Sequence, residues 1–408
     1  MRSWTGTSSS GEVGQGLRIL LVGPSGHGGE EVYVRMLLDS PPRGVEYVNT
    51  GPFHKGAPGA RCSVVEEVFL NRLVHPWLVP DMGFRSFSLS SSFDLVHVHA
   101  HPVRLSNLGD IPLVMSEGSS SAVYLQEYLN WDEPALARGY SRARRVYGYL
   151  GIHDRLLNLR RVSRAYVFSR WARDINIRWG ADPTKIDVVY PGFPTPAPVD
   201  RRSRTAFTFL FVGTDFERKG GFEVVEAFDA VAARYPEARL VLVSSDPRER
   251  NPDRAIHSWV SAAKREQTLG RLEALERRGV VERHPLQERH QLYDGIYPMA
   301  DVFVMPSRAE GFGFTNIEAM SFGLPVISSR VGAIPEVIHD GVAGVLVHAG
   351  DVPALSLAME RLIADRPLTH RMGEAARAAF LARFTLERFR AEVGRIYREA
   401  IESRCAGS

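Results

Sequence analysis

Short, continuous apolar runs closed by glycine or serine recur along the chain, several of them followed by segments with helical spacing. The first, Leu17–Gly23 (LRILLVG), leads into PSGHGG and then EEVYVRMLLDS, a pattern that predicts strand, glycine loop and helix. Runs of the same buried type follow at Asp94–His99, Ile111–Met115 and Arg164–Phe168. Strands without polar alternation are covered on both faces, so alternation with helices predicts a parallel sheet. Pro191–Thr205 (PGFPTPAPVDRRSRT) interrupts the pattern, because its prolines suit neither a helix interior nor a central strand. We read it as an interdomain linker, after which the pattern restarts at Phe207–Gly213, Ala238–Ser244, Ala300–Ser307 and Leu324–Ser329. At the end of the chain Leu386, Phe389, Val393, Ile396, Tyr397 and Ile401 share one helical face. The expected layout is a disordered tail over 1–16, an α/β domain over 17–195, a second over 196–385, and a C-terminal helix over 386–408 able to pack back on the first domain. Ligands of two such sheets belong in the cleft at the carboxyl ends of the strands.

Composition changes this picture little. A chain of 408 residues exceeds one ordinary core, which agrees with two domains. With 44% apolar and 24% charged residues the chain is globular, and it has no apolar run of the length that spans a bilayer. Residues 1–16 lack an apolar core and read as a polar tail, not a signal peptide, so a cytoplasmic location is expected. Cys62 and Cys405 form neither a disulfide framework nor a CxxC site. A net charge of +3 is too small to argue for nucleic acid.

The chemistry concentrates after Pro306. In SRAEGFGFTNIEAM, Thr315 or Asn316 can cap a helix that Gly323 closes. Amides at a helix start favour an anion by about 0.3–1 kcal/mol at exposed sites, so phosphate is the expected guest. Gly311 and Gly313 let the backbone come close to it. Glu318 is expected in the first turn, where it can accept hydrogen bonds from paired hydroxyls, and Glu310 at the corner can reach a group beyond the phosphate. The competing reading makes Glu310 an exposed loop edge and Glu318 a complement to the helix dipole. In FVGTDFERKGG, Gly213 ends a strand and Lys219 can project from the loop as a compact charge for a diphosphate. GPSGHGGEE lacks the Lys-Ser/Thr of a phosphate-binding P-loop and on its own is a tight turn.

Ser307–Val347 resembles the donor-site signature of the retaining family-4 glycosyltransferases of the GT-B fold, whose motif is E-x7-E; Glu310 and Glu318 fit that spacing. GLPVI, GAIPE and DGVAG, at Gly323–Ile327, Gly332–Glu336 and Asp340–Gly344, also resemble the family, as do FSRWARD and YPGF in the first half. The resemblance implies an α/β GT-B architecture, two Rossmann-like β/α/β domains facing across a cleft. It implies that Glu310 holds the donor sugar and Glu318 the ribose, while the loop Gly311, Phe312, Gly313, Phe314 and Thr315 faces sugar and diphosphate. Lys219 would bind the phosphates, with Gly28 and Gly29 bringing amides from the first domain. Thr214 stands where the family usually has an arginine after its first glycine; Arg218 either supplies that charge or is simply solvated. Glu117 stands where a histidine is expected near the reacting carbon, and it is either a hydrogen-bond acceptor for the acceptor hydroxyl or an inert loop residue.

His97, His99 and His101 are expected on one strand face. That raises zinc, but no carboxylate or cysteine cluster accompanies them, and in the family an H-x-H here lies near the acceptor cleft. No Asp-x-Asp occurs, so neither a metal nor another cofactor is expected. Arg138, Arg142, Arg144, Arg145, Arg155, Arg160, Arg161 and Arg164 concentrate basic charge in the first domain, as a solvated face or as a contact for an anionic membrane surface or phosphorylated acceptor. The expected activity is transfer of a sugar from a UDP-, GDP- or ADP-linked donor to a glycan, lipid-linked or small-molecule acceptor with retention of configuration, using Glu310, Lys219 and Glu117. The alternatives are a non-catalytic nucleotide-sugar binder and a phosphorylase or epimerase on the same fold.

Overall fold

The computed structural model describes residues 16–23, 29–49, 58–62, 85–154, 159, 161–201, 205–249 and 258–405. Residues 1–15 of the expected tail, and Gly28, Arg155 and Arg160, lie outside them. The first sheet has six parallel strands, β1 (Leu17–Val22), β2 (Val45–Asn49), β3 (Leu95–His99), β4 (Leu113–Glu117), β5 (Val162–Val167) and β6 (Ile186–Val188), in the order β2-β1-β3-β4-β5-β6. The second also has six, β7 (Phe207–Gly213), β8 (Ala238–Ser244), β9 (Val281–His284), β10 (Val302–Met305), β11 (Val326–Ser329) and β12 (Gly344–Val347), in the order β9-β8-β7-β10-β11-β12. That second order is the doubly wound one, and it reverses between β7 and β10, where a ligand crevice opens. Ile19, Leu20, Leu21 and Val22 are all buried, as a strand covered on both faces requires.

The helices that pack on these sheets are α1 (Gly29–Asp39), α2 (Glu133–Leu150), α3 (Arg170–Arg178), α4 (Gly221–Arg234), α5 (Ala262–Arg277), α6 (Phe314–Ser321), α7 (Ile334–Val337), α8 (Val352–Ala364), α9 (Arg366–Arg383) and α10 (Leu386–Cys405). A smaller sheet of short strands, which the periodicity does not announce, covers one face of the first sheet, with Phe87, Leu89 and Val103 against Leu20, Val96 and Met115.

The chain passes from the first sheet to the second through Pro191, Pro194, Pro196 and Pro198, without regular structure, and returns at Phe384–Thr385. The two passages lie side by side: Phe193 N–H donates to the Phe384 carbonyl at 2.8 Å, and Phe193 bridges Thr385. Gly192 permits this, since a Cβ there would stand 2.5 Å from Phe389 Cβ and 2.7 Å from the Thr385 carbonyl oxygen. Beyond the return, α10 buries Phe389, Val393, Ile396, Tyr397 and Ala400. It lies on the first domain: the Tyr397 hydroxyl is 2.7 Å from His97 Nδ1 and 2.8 Å from the Tyr47 hydroxyl, and Arg164 pairs with Glu399 at 2.9 Å.

Candidate functional site

Two loops meet at the carboxyl edge of β7 and β10. The first runs from Gly213 to Gly220, the second from Pro306 to Gly313, and they are laced together by backbone contacts. Arg308 N–H donates to the Arg218 carbonyl at 2.7 Å, and Arg218 Nη1 donates to the Ala309 carbonyl at 3.0 Å. Gly220 adopts φ +83°, and a Cβ on it would lie 2.3 Å from the Pro306 carbonyl oxygen, so the approach requires glycine.

This lacing brings the predicted lysine and first glutamate together. The Lys219 ammonium is ion-paired to Glu310 Oε2, and Arg218 Nη1 stands 3.9 Å from the same oxygen. Burial works to raise the Glu310 carboxyl, but the Lys219 and Arg218 charges and the Gly311 amide outweigh it and hold it below the usual carboxylate range. Glu310 is therefore a buried carboxylate, not an exposed loop edge. Arg218 is not a solvated arginine either: it also faces Asp215 at 3.6 Å and reaches the Tyr128 hydroxyl of the first domain at 3.4 Å. Thr214 is exposed at the strand end.

The helix beyond Glu310 starts earlier than the sequence suggests. Its N-cap is Gly313, at φ +83°, and not Thr315 or Asn316. Glycine reaches that left-handed conformation without the Cβ penalty that a capping threonine or asparagine would meet. Thr315 instead turns its hydroxyl to Met305 Sδ at 3.1 Å. Consequently Glu318 falls in the second turn of α6, not the first. Its carboxylate accepts from Arg289 Nε at 3.1 Å and from the Tyr297 hydroxyl at 3.1 Å, while burial, the largest influence, pushes its pKa up.

The first domain closes on these loops. A Cβ on Gly311 would be 3.1 Å from Ser119 Cβ, and one on Gly29 would be 3.7 Å from the Phe314 ring. Phe168 packs against both Phe312 and Phe314, with ring centroids 6.1 and 5.8 Å away. Glu336, from the GAIPE stretch, accepts hydrogen bonds from the Arg170 and Trp171 amides at 3.0 and 3.1 Å and from the Tyr190 hydroxyl at 2.6 Å. It thereby caps α3 across the domain boundary, a role the sequence signals only through the motif's likeness to the family.

Glu117 ends β4 and is partly buried beside Gly118, at which a Cβ would lie 2.6 Å from Glu30 Oε1. His97 and His99 do share a strand face, but β3 ends at His99 and Ala100 turns to φ +62°, so His101 leaves that face. The two buried rings meet on Ser116 Oγ, at 2.8 Å from His97 and 2.7 Å from His99, and His99 Nε2 faces Glu30. Burial, then the neighbouring His99, hold the His97 pKa well below its ordinary value. The Ser116 hydroxyl thus bridges the two rings, while His97 Nδ1 faces the Tyr397 hydroxyl at 2.7 Å and His97 Nε2 the Tyr166 hydroxyl at 3.3 Å.

The arginine concentration resolves into separate surroundings. Arg138, Arg142, Arg144 and Arg145 are exposed on α2, whereas Arg161 donates to the Gly109 carbonyl and Arg164 sits on β5 facing α10. Sequence reasoning missed Glu127 and Tyr128, which share a single π-helical turn, Tyr124–Tyr128, from which the Tyr128 hydroxyl meets the second domain's Arg218. Among the described residues no helix is long and apolar enough to cross a membrane.

A fold of two facing Rossmann-like sheets with this loop pair defines a GT-B protein, and the comparisons agree. Residues 198–379, within the second domain, match the family "Glycosyl transferases group 1". It is 29% identical over 249 residues to D-inositol 3-phosphate glycosyltransferase of Salinispora arenicola, covering 56% of this chain and 53% of the relative. The chain thus spans about half the length of that curated relative. Among solved structures, a glycosyltransferase from Rickettsia africae superposes with a TM-score of 0.63 at 14% identity, over 95% of this chain and 99% of that one. HepE of Anabaena in complex with UDP does so at 0.60 and 15%, over 93% and 98%.

Proposed function

We propose that the protein transfers a sugar from a nucleotide-sugar donor to an acceptor hydroxyl, with retention of anomeric configuration. The observation that carries this reading is the Lys219–Glu310–Arg218 group at the mouth of β7 and β10, a buried carboxylate between two partly buried cations, facing the first domain's loops. Lys219 and Arg218 supply two positive charges where a departing diphosphate gathers negative charge, and the Gly311–Thr315 backbone adds oriented amides. With that charge in place, we assign no role to a metal ion. Glu310 then orients the sugar and Glu318, held by Arg289 and Tyr297, accepts from the ribose hydroxyls. The UDP complex of HepE and the inositol-phosphate relative support a nucleotide donor and a hydroxylated acceptor.

The test is a thermal-shift series with UDP-, GDP- and ADP-linked sugars, followed by assay of sugar transfer and the anomeric configuration of the product. A ligand that binds only the folded protein raises its melting temperature in proportion to RT ln(1 + [L]/Kd). No shift with any of them would overturn the donor assignment. A shift without hydrolysis or transfer favours the non-catalytic binder, which the exposed Thr214 in place of the family's arginine makes a definite second reading.

A further inference from the structure

Glu127 has no part in the donor assignments, yet it occupies the side of the cleft opposite them. It sits on the π-helical turn Tyr124–Tyr128, where the Leu129 amide reaches back to the Tyr124 carbonyl at 3.3 Å, and such widened turns concentrate at functional sites. The next residue, Tyr128, receives Arg218 both at its hydroxyl, 3.4 Å away, and over its ring, 5.5 Å from the centroid. This anchors Glu127 facing the Arg218–Glu310 group. Glu127 Oε2 is shielded from solvent and makes no hydrogen bond to any described residue. A shielded carboxylate oxygen left unpaired costs about 1–3 kcal/mol or more, so its retention calls for a partner that arrives with a ligand. Burial, and next the facing Glu310 carboxylate, raise its pKa to about 7.

The surroundings select the chemistry of that partner. Lys219 and Arg218 beside Glu310 disfavour a second cation, and Glu127 with Glu310 disfavours an anion. A neutral hydroxyl, which donates one hydrogen bond, satisfies Oε2 without adding charge. We propose that Glu127 is the acceptor-binding carboxylate of the first domain, taking a hydrogen bond from a hydroxyl of a polyol acceptor. The inference rests on the donor reading above, which puts the nucleotide sugar against the other wall.

The experiment compares full-length wild type with Glu127→Gln and Glu127→Ala. The donors are UDP-glucose, GDP-mannose and ADP-glucose; the acceptors are glycerol, myo-inositol, myo-inositol phosphate and glucose. With the best wild-type pair, Glu127→Ala should raise the acceptor KM about tenfold or more, and Glu127→Gln by less, since its amide oxygen still accepts but carries no charge. Donor KM and the donor-induced thermal shift should stay within about twofold of wild type. Neither variant should melt below wild type, because each removes a shielded charge facing Glu310; a merely structural carboxylate would give the opposite. Unchanged acceptor KM in both variants overturns the proposal alone. Wild type that binds a donor but glycosylates none of these polyols overturns the choice of hydroxyl, and wild type that binds no donor overturns the underlying reading as well.

Discussion

Lys219 and Glu310 neutralise one another inside the cleft, from loops that leave neighbouring strands of the same sheet. A lysine has three donors and a carboxylate four lone-pair sites, so the pair fixes one contact on each side and leaves the others for a ligand. The contact also sets the geometry of both groups before a ligand arrives, which spares reorganisation when charge develops.

Removing the carboxylate should therefore cost more than a surface ion pair would. Glu310→Gln leaves Lys219 and Arg218 facing a neutral amide, and we expect a loss of about 3 kcal/mol in chemical denaturation. The folded pKa of Glu310 is depressed, so its contribution is present above the unfolded carboxylate value, about 4.3, and is lost as pH falls through the folded value. The stability gap between wild type and Glu310→Gln should accordingly shrink as pH falls below about 4.3; a gap that stays constant to low pH would exclude an ionised Glu310.

Glu318→Ala should leave Arg289 and Tyr297 without their shared acceptor and reduce the thermal shift given by the cognate nucleotide. The loss of a charge-assisted hydrogen bond predicts about a tenfold weaker nucleotide Kd. Isothermal titration with the free nucleoside diphosphate checks this, and an unaltered Kd would remove the ribose assignment.

Gly332 ties the GAIPE stretch to the site: it adopts φ +55°, and a Cβ there would fall 1.7 Å from the Glu310 carbonyl oxygen. Gly332→Ala should displace the Glu310 loop and lower both melting temperature and nucleotide affinity. Gly341, at φ +75° with nothing within 4 Å of its Cβ position, is the control. Gly341→Ala should cost only the conformational strain, about 1–2 kcal/mol, and leave affinity alone.

The GAIPE glutamate tests the domain arrangement. Glu336→Ala removes the acceptor of two α3 amides and of the Tyr190 hydroxyl, and we expect a loss of about 2 kcal/mol together with a larger radius of gyration in X-ray scattering. Loss of stability at an unchanged radius would make Glu336 a helix cap and nothing more.

Strands and loops were legible in the sequence wherever burial is two-sided, as in Leu17–Val22 and Phe207–Gly213, because continuous apolar runs have few other uses. The small sheet was not, since Arg85–Leu89 and Val103–Ser106 mix serine and arginine with their apolar residues. The helix start at Gly313 was misplaced because cap preference favours threonine and asparagine, while the close turn behind Glu310 demands a left-handed residue. For Arg218 the sequence leaves both a diphosphate charge and a solvated arginine open, and its contacts with Asp215, Ala309 and Tyr128 of the first domain exclude the second. No local spacing encodes such a meeting.

The placement of α10 has a consequence for synthesis. Tyr397 completes the hydrogen bonding of His97, and the apolar face of α10 is buried against a domain whose strands begin at Leu17. A ribosome that has finished the first sheet has not yet made the helix that covers it, whereas the second sheet, β7 to β12, is complete before α10 emerges. The first domain is thus begun before the second and closed after it, with its exposed face awaiting α10.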